Sequence, residues 1–132
     1  MKIEEDYVSY ELAEKLKGLG FDWHTLNYYE FYDPIHSLNY GRIWRNVNAI
    51  DDEIAAPTLY LAQKWILDHG IYVYILPKYF KQDGCTSWQY IILEIDYATD
   101  KWVRKNKFDY WFEKPSKCLE YGLQKALKFI KP

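Results

Sequence analysis

Glu94 and Asp96 stand two apart in "WQYIILEIDY" (88–97). Alternate side chains of a strand share a face, so these two carboxylates would lie side by side. Such a pair can hold Mg²⁺ through oxygen ligands. A metal-dependent nuclease would use it that way, with a third acid and a lysine nearby. The sequence places neither beside the pair, so a solvated strand end is the expectation. His24, His36 and His69 are the imidazoles, and Cys85 and Cys118 the thiols. Their spacings match no zinc pattern. His69 instead fits the last turn of a helix, where it can donate to free carbonyls. Cys118 falls near a helix start, an environment that can favour a thiolate, but it reads equally as a small residue of a first turn. No metal and no cofactor are expected.

"KWVRKNK" (101–107) interleaves four positive charges with one tryptophan. Rings for stacking beside cations for phosphates are how single-stranded nucleic acids are gripped. Trp102, Arg104, Lys105 and Lys107 would do that work. Against it, the whole chain has net charge −2 and a pI of about 5.9, whereas nucleic-acid-binding domains are usually basic. Nucleic acid is therefore not the expected partner. The charge is unevenly spread: residues 1–70 carry 6 basic and 12 acidic side chains, residues 71–132 carry 11 and 7. No phosphate-binding glycine loop, dinucleotide fingerprint, zincin helix or nucleophile elbow is present.

The elements that must position these residues are legible from periodicity. At 132 residues the chain reads as a single domain, 1–132, able to bury a core. Ser9 can cap a first helix carrying Leu12, Ala13, Leu16 and Leu19, stopped by Gly20. Residues 25–33 read as a strand, "DPIHS" (33–37) as a turn, and 38–46 as a second strand in a hairpin. Pro57 opens a second helix that Gly70 ends. "IYVYILPKYF" (71–80) and "WQYIILEIDY" (88–97) read as strands joined by "KQDGCTS" (81–87). Residues 98–115 follow neither period, with an edge strand expected around 108–112. Ser116 is the expected cap of a last helix carrying Leu119, Leu123, Ala126, Leu127 and Ile130 at amphipathic spacing. The order is α-β-β-α-β-β-α. The class is α+β: a two-layer fold of about four mainly antiparallel strands and three helices.

Three stretches, "YVSYELAEKLKGLGFD", "APTLYLAQKWILDHGIYVYI" and "CLEYGLQKALKFI", together resemble a family of small uncharacterised α+β proteins from gut Bacteroidetes genomes and their prophage-like or other mobile elements. The resemblance covers the helices and the helix–glycine–strand junction and leaves out 34–48 and 98–112. It implies a fold and a genomic setting, and brings no functional residues with it.

Aromatic residues make up 20% of the chain, 14 of them tyrosine. If Ile71, Val73 and Ile75 face the helices together with Ile91, Leu93 and Ile95, then Tyr72, Tyr74, Trp88 and Tyr90 share the opposite face. Strand 25–33 adds two more rings there. A patch of that size exceeds what monomers usually leave open. The rings of 98–115, a second copy in a homodimer, or a foreign protein partner could each cover it. The expected function is thus a small binding or accessory protein acting through an aromatic sheet face. "MKIEEDYVSYE" is no signal peptide, no apolar run reaches membrane-spanning length, and two thiols without CxxC spacing suit a reducing cytoplasm.

Overall fold

The computed structural model describes residues 6–131; "MKIEE" (1–5) and Pro132 lie outside the described residues. Among the described residues the fold is α+β, with three helices and two antiparallel sheets, and the chain divides into two compact units at residue 62, within the second helix.

In the first unit, α1 spans Tyr10–Gly18. Ser9 caps it, its Oγ accepting from Leu12 N at 3.1 Å. Gly20, at φ +92°, lets Gly20 N and Phe21 N turn back onto the carbonyls of Lys17 and Leu16. The expected strand 25–33 contracts to β1, Tyr28–Glu30, and its partner is β2, Glu53–Ala55, in the register Tyr29↔Ile54. Residues 38–46 are not a strand. They contribute two single bridges, Tyr28↔Asn39 and Thr25↔Arg45. The turn at Asp33 explains this. Its carboxylate accepts from Ile35 N and Ser37 N, and His36 takes φ +55°, so the returning chain leaves β1 out of register. Tyr29 is buried, with its hydroxyl donating to Val8 O at 2.7 Å. Lys17 Nζ donates to the carbonyls of Ile50, Asp51 and Glu53 and ties α1 to the approach of β2.

α2 spans Leu59–Asp68 and bridges the division between the units. Its capping side chain is Thr58, whose Oγ1 accepts from Leu61 N; Pro57 stands just before it.

In the second unit, β3 (Ile71–Phe80), β4 (Cys85–Asp96) and β5 (Lys101–Arg104) form an antiparallel meander. The edge strand expected around 108–112 lies at 101–104, and Phe112 makes a single bridge to Trp88. α3 spans Pro115–Ala126, and a 3₁₀ turn follows over Leu127–Phe129. Ser116 does not cap α3: Lys114 holds the cap position and Pro115 the first turn, where a missing N–H costs nothing.

α3 packs on the β3–β4 face through Gly122. A Cβ built there would sit 2.9 Å from Tyr90 Cβ and 3.1 Å from Val73 Cγ1. Gly122→Ala is therefore expected to destabilise the protein in denaturant titration, despite a helix-propensity gain of about 1 kcal/mol. A stabilised variant would show that the helix–sheet spacing yields freely.

The single four-stranded sheet of the sequence reading is replaced by one sheet of two strands and one of three. The assignment of faces on β4 changes as well. Phe80 pairs with Cys85 across a four-residue turn, so odd residues of β3 oppose even residues of β4. Opposed residues share a face, and one step of register exchanges the faces. Ile71 and Val73 thus share the α3 side with Trp88, Tyr90 and Ile92. Ile91, Leu93 and Ile95 join Tyr72 and Tyr74 on the other side.

Candidate functional site

The strand β5 ends at Arg104, but the chain stays against β4 for two more residues. Lys105 N donates to Ile92 O at 2.9 Å. The Asn106 side chain then imitates a strand: its Oδ1 accepts from Ile92 N at 2.8 Å and its Nδ2 donates to Tyr90 O at 3.1 Å. Arg104 Nε donates to Asn106 O and closes the corner. This anchoring holds Lys105 and Lys107 beside the end of α3, which contributes Lys125, and the 3₁₀ turn after it, which contributes Lys128 and Phe129. The result is a cleft of about 240 Å³ bounded by four lysines, with Tyr90, Ile92 and Phe129 as its apolar part. Lys105 Nζ and Lys128 Nζ lie 5.6 and 5.1 Å from the centre of the Phe129 ring. Ammonium groups over an aromatic face are attracted by its quadrupole, so Phe129 helps gather both cations at one edge.

Asp109 is the carboxylate of this cleft, and it is already engaged: the Tyr90 hydroxyl donates to its Oδ2 at 2.7 Å. Burial, and then this bond, raise the Tyr90 phenol above the usual tyrosine range. Positive charge is left in excess around the cleft. Beside it, Tyr90, Tyr110, Phe112 and Tyr121 pack as one ring cluster, with centroids 4.6–6.4 Å apart. Of the rings of 108–112, Phe112 packs against Tyr90 and Tyr110 joins it through Phe112 and Tyr121, whereas Phe108 packs on Trp111 and Trp111 on Phe80.

The eight binding residues expected from sequence separate accordingly. Tyr90, Lys105 and Lys107 line the cleft. Trp88, on the same side of the sheet, exchanges backbone hydrogen bonds of 2.8 Å with Phe112. Tyr72, Tyr74, Trp102 and Arg104 lie on the opposite side, where Tyr72 stacks on Tyr74 at 5.1 Å and meets Trp102 at 6.3 Å. Lys125, Lys128 and Phe129 lie off the apolar stripe that marks the last helix, and the Lys125–Lys128 spacing beside it is the sequence signal for this wall of the cleft.

Glu94 and Asp96 share a face as expected and line a separate cleft of about 460 Å³ with Lys105 and Lys131. Among the described residues, no three His, Cys, Asp or Glu side chains come together. His36 stacks on Tyr10 with centroids 3.6 Å apart, and the His69 imidazole donates from Nδ1 to Trp65 O at 2.8 Å. Among the described residues, no helix is long and apolar enough to cross a membrane.

Cys118 is fully buried in the first turn of α3, while Cys85 is exposed at the start of β4. Burial, with the nearby Asp109 charge, pushes the Cys118 thiol up to about 12, against an ordinary value of 9.0. Between those two values the folded protein holds a proton that the unfolded chain has lost. Stability therefore falls as pH rises through that window. Urea titrations from pH 8 to 10.5 are expected to show this fall, and Cys118→Ser to blunt its onset. At neutral pH a thiol reagent should modify Cys85 promptly and Cys118 only on unfolding. Equal rates would contradict the burial.

No protein-family model, curated protein or solved structure matches the chain.

Proposed function

We propose that the protein works by binding rather than by catalysis, and that its ligand is single-stranded nucleic acid held at the lysine cleft. One observation carries the reading: Lys105, Lys107, Lys125 and Lys128 converge on one cleft beside Phe129 and Tyr90, and its carboxylate is occupied by a tyrosine hydroxyl. Lysines supply phosphate contacts and rings supply sequence-tolerant stacking. The edge strand beside the cleft adds Trp102 and Arg104 from its other face, and a flexible single strand can pass around such an edge. The basic balance of residues 71–132 favours an anionic ligand, and the acidic balance of 1–70 discourages wrapping by a long duplex.

The test is fluorescence anisotropy with a labelled oligothymidylate of about twelve nucleotides. Affinity is expected to fall with salt, with a log–log slope reaching about −3 if four phosphates are neutralised. Equal binding of a duplex or of polyglutamate would reduce the cleft to a generic anion surface.

The opposite sheet side supports a second reading, a homodimer or a foreign protein partner. Tyr72 and Trp102 are 36% and 45% exposed there and touch each other. Aromatic residues exposed together suit interface cores. Light scattering at rising concentration should show a dimer that Trp102→Ser abolishes. A wild-type monomer throughout would leave only the foreign partner.

A further inference from the structure

The three-stranded sheet of the second unit has two outer edges, β3 and β5. The hydrogen bonds the sheet already makes fix which backbone groups each edge presents. Lys105 N donates to Ile92 O, and Ile95 N to Gly70 O. Even residues of β4 thus bond toward β5 and odd ones toward β3. Antiparallel pairs alternate between residues that exchange both bonds and residues that exchange none. With Glu94 opposite Val103 and Asp96 opposite Lys101, the N–H and C=O of Trp102 and Arg104 point away from the sheet. The same count turns Val73 and Pro77 outward on β3.

The two edges are finished differently. On β3, Val73 O accepts from Gln63 Nε2, and Pro77 has no N–H to offer. Natural sheets protect exposed edges with such devices. On β5, no group among the described residues bonds the outward N–H and C=O of Trp102 or Arg104, and all four residues of the strand are exposed. Lys101 and Arg104 flank Trp102 and Val103, and among the described residues neither cation forms an ion pair. Cations on an edge discourage pairing with like strands. They favour a strand of opposite charge.

We infer that the β5 edge accepts an extended acidic segment of a partner protein as a fourth, antiparallel strand of this sheet. Main-chain bonds to Trp102 and Arg104 would hold it, and its side chains would follow the pattern acid–apolar–apolar–acid. The acids would stand opposite Arg104 and Lys101, the apolar pair opposite Val103 and Trp102. Opposite charges directly across two strands attract and like charges repel. The same rule disfavours a second copy. Pairing β5 with itself so that Trp102 and Arg104 exchange bonds would set Lys101 of each copy opposite Lys105 of the other. Trp102, 6.3 Å from Tyr72, supplies the ring surface for the apolar residue. None of the four β5 side chains lines the lysine cleft, so the inference holds whether or not nucleic acid occupies that cleft.

The probe is a fluorescein-labelled peptide, Thr-Glu-Val-Ile-Glu-Thr, compared with the same peptide N-methylated at its first Glu and its Ile, the residues facing Arg104 and Trp102. Anisotropy reads the affinity, and amide hydrogen exchange reads the place. In the free protein the Trp102 and Arg104 amides are expected to exchange fast and that of Val103, bonded to β4, slowly. The peptide should slow both fast amides. N-methylation should weaken binding by about tenfold or more, as the loss of two backbone bonds allows. Trp102→Pro removes an outward N–H without breaking a bond to β4, and should weaken binding similarly. Should proline distort the strand, Lys101→Glu serves instead: it should lose about fivefold for the probe and regain it for a peptide with Lys in place of the last Glu. Equal affinity of the N-methylated peptide, binding without slower exchange at Trp102 and Arg104, or no binding up to about 1 mM peptide would each overturn the inference. So would exchange at these two amides that slows with protein concentration alone, which would give the edge to a second copy.

Discussion

Lys105→Glu combined with Lys128→Glu is expected to weaken oligothymidylate binding by about 100-fold at low salt, and to flatten its salt dependence by about two phosphate contacts. Both ammonium groups sit over the Phe129 ring at the mouth of the same cleft, so each reversal removes a phosphate contact and adds a repulsion there. The fold should survive, because both side chains are exposed and their ring contacts at such sites are worth only about 0.5–1 kcal/mol each. Lys81→Glu is the control. It changes the net charge of the same unit from the β3–β4 turn, away from the cleft lining, and should alter affinity by less than about threefold at moderate salt. If Lys81→Glu matched one of the cleft reversals, the binding would follow overall charge and the cleft would have no special role. If the double variant bound normally, the proposed site would be wrong.

Periodicity revealed the elements far better than it revealed their partners. The helices and the β3–β4 hairpin were legible because Ser9, Gly20, Gly70 and the amphipathic stripes are local signals. The pairing of β1 was not. Its partner Glu53–Ala55 is three residues long and lies between acids and a proline, so no alternation marks it. The error about the aromatic face has a sharper cause. Alternation in β4 is nearly symmetrical, with Ile91, Leu93 and Ile95 on one parity and Trp88, Tyr90 and Ile92 on the other. Only the length of the Lys81–Gly84 turn decides which set meets Val73. Moreover, a tyrosine with a buried ring looks in sequence like one facing solvent. Tyr90 is buried because Gly122 admits its ring and Asp109 accepts a hydrogen bond from its hydroxyl, and these partners lie 32 and 19 residues away. The lysine cleft was half legible. The segment 101–107 stood out as basic, but Lys125 and Lys128 join it only once Asn106 has pinned the loop to β4.

Leu123→Ala is expected to cost about 2–5 kcal/mol in denaturant unfolding, the usual penalty for emptying a packed aliphatic site. Leu123 is fully buried, and it follows Gly122, the point of closest approach between α3 and the sheet. Collapse around the vacated volume is hindered on that side, because Tyr90 is held by its bond to Asp109 and the fully buried Val73 is paired with Ile92 of the central strand. The cost should therefore lie toward the upper part of the range. It is a large fraction of the roughly 5–15 kcal/mol that holds a domain folded. The same loss should reach the lysine cleft, since Lys125, Lys128 and Phe129 stand on the helix end and the turn that follows. Oligothymidylate affinity of Leu123→Ala should then fall in step with its folded fraction, whereas Lys105→Glu should lose affinity with the fold intact. A stability change below about 0.5 kcal/mol, the scale of an ordinary surface substitution, would mean that α3 is not part of the core. The lysine cleft would then lose one of its two walls.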